Sequence, residues 1–323
     1  MDWGRRRFVP DRPRADGAGE PVSGCGARVT GRHGRLCVVT AAEAAKLAFQ
    51  ISLFVVILGY GLTAQFGDVG YLTQRPALLV RSLLAVLVVA PGVAVLLVQV
   101  MDLRPEIAIA LVTLAISPLP PLLPRRGEKA GGHVQFGLGL VIVLAVLAVP
   151  VLAVAATLLG NVFGHQYVVS PGAIGRLMLV SVLAPLIAGM TIGAVWPAAA
   201  KRIAGPIESA QRWVLPVAMI VLLVAVAPRM WKLVGESTLV AMAVFVVATL
   251  AAGHLLGGPD RRFSAVVAFA SSCRHPATAL AIASANFPGT DEHGAVALYG
   301  LITAGVGILY IRWVRRHEAA SPG

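Results

Sequence analysis

Polar residues are the exception along most of this chain. From Ala44 onward, apolar runs alternate with short connections rich in Arg, Lys, Gly and Pro. A bilayer core about 30 Å thick takes about 20 helical residues to cross. Nine runs come close to that length, at about 44–64, 77–100, 105–124, 135–160, 171–195, 212–229, 235–256, 262–287 and 294–314. None alternates with period two, which argues against a transmembrane β-barrel. In lipid the remaining way to satisfy the backbone is the helix. The pattern therefore predicts an all-α polytopic membrane protein of about nine transmembrane helices, with connections too short for a soluble domain between them.

Two of the runs are interrupted by residues that a regular helix rejects. In the third, Ser117-Pro118-Leu119-Pro120-Pro121 removes three backbone donors within four positions. In the eighth, Ser271-Ser272-Cys273-Arg274-His275-Pro276 sits near the middle of the run Arg261–Phe287. Counted from the carboxyl end, the breaks fall in the second and the seventh run. A separation of five predicts two five-helix units, the first lacking its initial helix, and an odd-numbered unit repeated in tandem inserts upside down. Interrupted helices at corresponding places of inverted repeats are the best sequence pointer to a secondary-transporter site. The domain reading follows: a tail over 1–40, a first repeat over 41–160, a second over 161–316, and a short cytoplasmic tail over 317–323.

Composition supports the membrane reading. Of 323 residues 57% are hydrophobic and 13% charged, and the mean hydropathy is +0.81. The net charge of +12 raises nucleic-acid binding, but the cations sit in small groups between apolar runs, as membrane topology requires. Thirteen Lys and Arg fall on one face of the bundle, among them Arg75, Arg126, Arg262 and Arg315, against five on the other. This asymmetry puts the carboxyl terminus in the cytoplasm and the amino terminus outside. Trp196, Trp213, Trp231 and Trp313 stand at run ends, as an interfacial aromatic belt expects.

Residues 1–40 differ in kind, with eight arginines and no aliphatic run long enough for a signal peptide. They read either as a disordered tail or as sequence upstream of a true start near Val38 or Val39. Eight arginines resist translocation and conflict with an external amino terminus. The cysteines Cys25, Cys37 and Cys273 suggest neither a disulfide framework nor a zinc site.

Among the 27 cationic residues, Arg274 alone is assigned to no membrane surface. It lies roughly 18 Å from either end of its span at 1.5 Å per residue, too deep to snorkel. An ionisable residue at that depth is a functional-site candidate by default.

With these features the chain resembles the bile acid:sodium symporter family of the wider bile/arsenite transporter superfamily. Arg75-Pro76, Ser117-Pro118 through Gly131-Gly132-His133, and Cys273-Arg274-His275-Pro276 with Ala279-Leu280-Ala281 and Asn286-Phe287 carry the resemblance. It implies a core of crossing broken helices and a panel domain that work by alternating access, with organic anions as substrates and sodium as the usual driving ion. In sodium-coupled members the second broken helix resembles Glu-x-x-x-Gln-Asn; the matching positions here are Ala270, Arg274 and His275. Leu119, Pro120, Pro121 and Leu122 replace the polar residues after the first break, and Val134–Val154 contains no Ser, Thr, Asn, Asp or Glu. The oxygen ligands that sodium needs are missing from these places, so no metal site is assigned and Arg274 is expected to stand in for the cation. Sodium held by backbone carbonyls alone is the alternative.

A helix restarting at Pro276, a favoured first position, would point free amides and partial positive charge into the membrane centre. Arg274 adds a donor fork suited to carboxylate, sulfonate or phosphate. The expected substrate site comprises Arg274, His275, Ser271, Ser272 and Pro276, with Ser117 and Pro118 from the facing break. His275 opens the prospect of proton coupling. The bland reading of Arg274 is a charge spent on backbone carbonyls at the break. Cys273 reads as a packing residue, and arsenite is disfavoured because the first break lacks a cysteine. Catalysis is not expected: Ser271, Ser272, Cys273 and His275 lack an orienting acid, and no cofactor motif appears. A receptor or scaffold that kept the fold but lost transport is the alternative to a carrier. The expected partners are the lipid bilayer, a small anionic substrate and protons, without nucleic acid.

Overall fold

The computed structural model describes residues 41–64, 70–72, 74–117, 123–163, 172, 175–176, 179–233, 235–287 and 292–319. They are mostly helical, with no strand among them. In chain order the helices are α1 (Ala41–Thr63), α2 (Pro76–Val100), α3 (Pro105–Ile116), α4 (Leu123–Lys129), α5 (Val134–Phe163), α6 (Leu179–Val195), α7 (Pro197–Leu233), α8 (Glu236–Leu256), α9 (Arg261–Ser272), α10 (Pro276–Asn286) and α11 (His293–Ala319).

Three of them are long and apolar enough to cross a membrane, over Pro76–Val100, Ser237–Leu256 and His293–His317. A fourth candidate is α5, whose parts Val134–Ala148 and Pro150–Leu158 meet at 60°. Pro150 accounts for the bend, since its ring displaces the carbonyl one turn back. α3 and α6 are shorter apolar helices. Exposed Val88, Leu96, Val100, Val224 and Leu255 suit a lipid-facing surface and would be a liability in water.

Two boundaries differ from expectation. The connection foreseen at 196–211 is helical and continuous with the next run, giving α7 its 37 residues. Pro197 opens it at a tolerated position, and an alanine-rich first turn favours the helix. At the carboxyl end α11 continues to Ala319, past the foreseen end of the last span.

The packing has two groups, joined where α7 lies against α11. α1 lies against α6 and α7. A Cβ on Gly61 would sit 2.4 Å from the Leu186 carbonyl oxygen, so these backbones approach as small residues alone permit. In the second group α8 packs on α9, and a Cβ on Gly253 would sit 2.0 Å from Ser271 Oγ. α3 lies against α10 while α4 lies against α9. The first half of one interrupted pair thus accompanies the second half of the other, and the two pairs cross at their breaks.

An aromatic stack pins the start of α9. His133 stacks on Tyr71 at 4.6 Å and on Phe263 at 5.4 Å. The Arg75 guanidinium lies 4.8 Å from the Phe263 ring centre, and His133 N–H donates to the Arg262 carbonyl at 3.1 Å. Arg75 and His133, far apart in the chain, therefore meet at one end of the crossing.

Candidate functional site at the crossing of two broken helices

Both breaks are made by the same local chemistry. A residue before proline is pushed out of the helical region. Ser117, before Pro118, has φ −84° and ψ 97° and ends α3. His275, before Pro276, has φ −86° and ψ 106° and precedes α10. Cys273 is also extended, at φ −94° and ψ 131°. The two pre-proline residues touch: Ser117 Oγ donates to the His275 carbonyl at 3.0 Å, with both residues buried. Pro118 lies outside the described residues, and Pro276 is the first residue of α10.

His275 caps the helix it precedes. Its Nδ1 accepts from Thr278 N–H at 3.2 Å and lies 3.1 Å from Thr278 Oγ1. With Nδ1 accepting, the hydrogen of the neutral ring is on Nε2.

Arg274 is 3% exposed. Its Nη2 donates to the Val86 carbonyl at 3.1 Å, while Nε and Nη1 are buried without a hydrogen-bond partner. The Val86 carbonyl is available for a reason legible in α2. Residues Ala85–Val89 form a π turn, closed by Ala90 N–H donating to the Ala85 carbonyl. In that register the next donor, the one due to Val86, belongs to residue 91. Residue 91 is proline and has no N–H. A buried carbonyl without a partner costs about 1–3 kcal/mol, and the Arg274 guanidinium fills the place.

A second guanidinium reaches the same break. Arg126 Nη1, from α4, donates to Cys273 Sγ at 2.9 Å. Its place near the end of an apolar run had assigned it to a membrane surface. Because the first break shortens this span into two half-helices, α4 lies along α9 and brings Arg126 back to the crossing. Neither Arg126 nor Arg274 has a described carboxylate within ion-pair range. Tyr299 of α11 donates its hydroxyl to the Ser272 carbonyl and is within electrostatic reach of both guanidiniums.

The serines face elsewhere. Ser271 Oγ lies 2.8 Å from the Thr249 and Val267 carbonyls, joining α9 to α8, and Ser272 Oγ donates to the Ala268 carbonyl at 2.8 Å. Both hydroxyl hydrogens are thereby engaged, and a contact to an anion would require their release. The crossing thus brings Ser117, Cys273, Arg274, His275 and Pro276 together, adds Arg126, Val86 and Tyr299, and turns the hydroxyls of Ser271 and Ser272 toward backbone. Pro91 was the sequence signal for Val86, and nothing but position hid Arg126. No group of three metal-ligating His, Cys, Asp or Glu side chains occurs among the described residues.

No curated protein matches the chain. A family model described as the sodium bile acid symporter family matches residues 50–256. The match takes in the first break and Val86, and stops before α9, so the geometry around Arg274 is argued on its own residues. A match over more than half of an all-helical, strongly apolar chain identifies a membrane transport protein: the chain belongs to the sodium bile acid symporter family.

Proposed function

We propose that this protein is a secondary transporter that moves a small organic anion by alternating access, with Arg274 occupying the place of a coupling cation. The observation that carries the reading is a buried arginine, bonded once to a backbone carbonyl and left with two unpaired guanidinium nitrogens. A cation at such depth is costly unless an anion or hydrogen-bond acceptors meet it. One nitrogen is met, two are not, and a carboxylate or sulfonate supplies the acceptors that are missing. His275 and the start of α10 then border the anion, and Ser117 holds the two breaks in register. Ser271, Ser272, Pro118 and Pro276 belong to the same proposed site, the serines after release from their carbonyls.

The remaining elements of the reading are nine spans, two inverted repeats with the first lacking its initial helix, and a cytoplasmic carboxyl terminus. The crossing of α3–α4 with α9–α10 supports the repeat reading, since each half-helix accompanies the opposite half of the other pair. Sodium independence rests on the charge of Arg274 beside a carbonyl that a small cation would otherwise use. The family as a whole favours the second reading, a sodium-driven symporter relying on backbone ligands.

The experiment is thermal unfolding of the purified protein against carboxylates and sulfonates, with and without sodium. An anion that binds the folded state raises the transition. The expected result is a shift independent of sodium that Arg274→Ala abolishes. A saturable sodium requirement overturns the stand-in role, and an unchanged shift in Arg274→Ala overturns the anion site. Flux in proteoliposomes separates a carrier from a receptor of the same fold.

A further inference from the structure

We infer that Arg126 is a second anion-binding arm of this site and that the substrate is an elongated dianion, a dicarboxylate or a molecule with two acidic groups several bonds apart. The inference rests on the anion-site reading of Arg274 and adds to it the charge and shape of the ligand. Two observations carry it. Arg126 and Arg274 both converge on a three-residue break, yet neither meets a described carboxylate. Arg126 instead donates to a thiol, a weak acceptor that gives a cation less than a carboxylate would. Arg274 keeps two nitrogens unpaired in a buried setting.

The shape follows from the backbone. Successive side chains of an extended segment point to opposite faces. Cys273, and with it Arg126, therefore lies on one face of the break, and Arg274 on the other, where α2 packs. One compact anion does not satisfy both. Two acidic groups at the ends of a short chain do, one on Arg274 Nε and Nη1 and the other drawing Arg126 from the sulfur. In this state Cys273 marks the resting position of the arm.

Glutarate, valerate and sulfate are the probes, compared at constant ionic strength by thermal unfolding of the full-length protein. Glutarate has two separated charges, valerate the same chain with one, and sulfate two charges on one centre. The expected result is a larger shift with glutarate than with either of the others. Arg126→Gln removes that preference, lowering glutarate affinity on the order of tenfold or more, as loss of a charge-assisted bond implies. Arg126→Lys retains part of it, which separates an arm from a structural tether should Arg126→Gln fold poorly. Equal shifts with valerate or sulfate, or a preference that survives Arg126→Gln, overturn the inference and leave the anion site intact. If none of the three probes moves the wild-type transition, the inference falls, and the anion site is decided by the wider screen with Arg274→Ala.

Discussion

The π turn of α2 and the π turn that opens α6 are built alike and end differently. The first covers Ala85–Val89 and is followed by Ala90 and Pro91; the second covers Leu179–Leu183 and is followed by Ala184 and Pro185. By the same count, Pro185 withholds from Val180 the donor that Pro91 withholds from Val86. Val86 is fully buried, and Arg274 answers its carbonyl. Val180 is 57% exposed, and no described side chain donates to it. A proline six positions into a π register thus creates an acceptor in either place. What turns an acceptor into part of a site is a cation brought there by a different helix. The cation comes from the break in α9–α10, so the site is a product of the crossing and not of either helix.

The largest effect is expected from removing that cation while keeping its volume. Arg274→Met should lose anion binding altogether, yet melt no lower than the wild type. A buried charge without a counter-ion costs more than an apolar side chain of like size, which offsets the roughly 1–3 kcal/mol for leaving the Val86 carbonyl unpaired. Thermal unfolding with and without anion measures both. A variant that melts far below the wild type would instead mark Arg274 as a structural staple.

Next is the acceptor. Pro91→Ala restores an N–H that competes for the Val86 carbonyl, so the guanidinium loses its anchor. Anion affinity should fall about tenfold, the worth of a hydrogen bond to a charged group, while the melting temperature changes little. Isothermal titration with the best anion of the screen reads the change. Affinity equal to the wild type would show that Val86 does not position Arg274.

Ser117→Ala tests the register of the two breaks. It leaves the buried His275 carbonyl without the hydroxyl donor at 3.0 Å and should cost about 1 kcal/mol of stability. Its effect on anion affinity should be smaller than that of Pro91→Ala, because Arg274 keeps its anchor. The unfolding transition and the same titration give the two values.

How far these features were legible depends on what a sequence letter encodes. The breaks at Ser117-Pro118 and Cys273–Pro276 were readable because proline lacks a donor wherever it stands, and Arg274 because a charge in an apolar run has no surface to reach. Arg126 was hidden, since position relative to run ends is all that charge bookkeeping uses. It took the short α4, folded along α9, to bring that side chain to Cys273. Val86 was hidden because its contribution is a carbonyl, which every residue has. Pro91 pointed to it, but the position of the orphan depends on π rather than α register. The serines were legible as hydroxyls beside a break, but their partners were not, because packing against α8 gives Ser271 the Thr249 carbonyl. The kink in α5 was legible at Pro150 by the argument used for the breaks.

The smallest effect sharpens the comparison most. Pro185→Ala restores to α6 the same N–H that Pro91→Ala restores to α2, in a place where no described guanidinium competes for the carbonyl. The added hydrogen bond contributes about 0.5–1.5 kcal/mol, and the lost proline gives the unfolded chain about 0.4–1 kcal/mol of additional freedom. These oppose each other, so stability should stay within about 1 kcal/mol of the wild type. Anion affinity should not move, because α6 packs chiefly on α1 and α7. Run beside Pro91→Ala, the variant holds the chemistry of the substitution fixed and changes only whether a cation waits for the freed oxygen. If both substitutions weaken anion binding alike, the effect comes from stiffening a helix and Val86 has no special part in it.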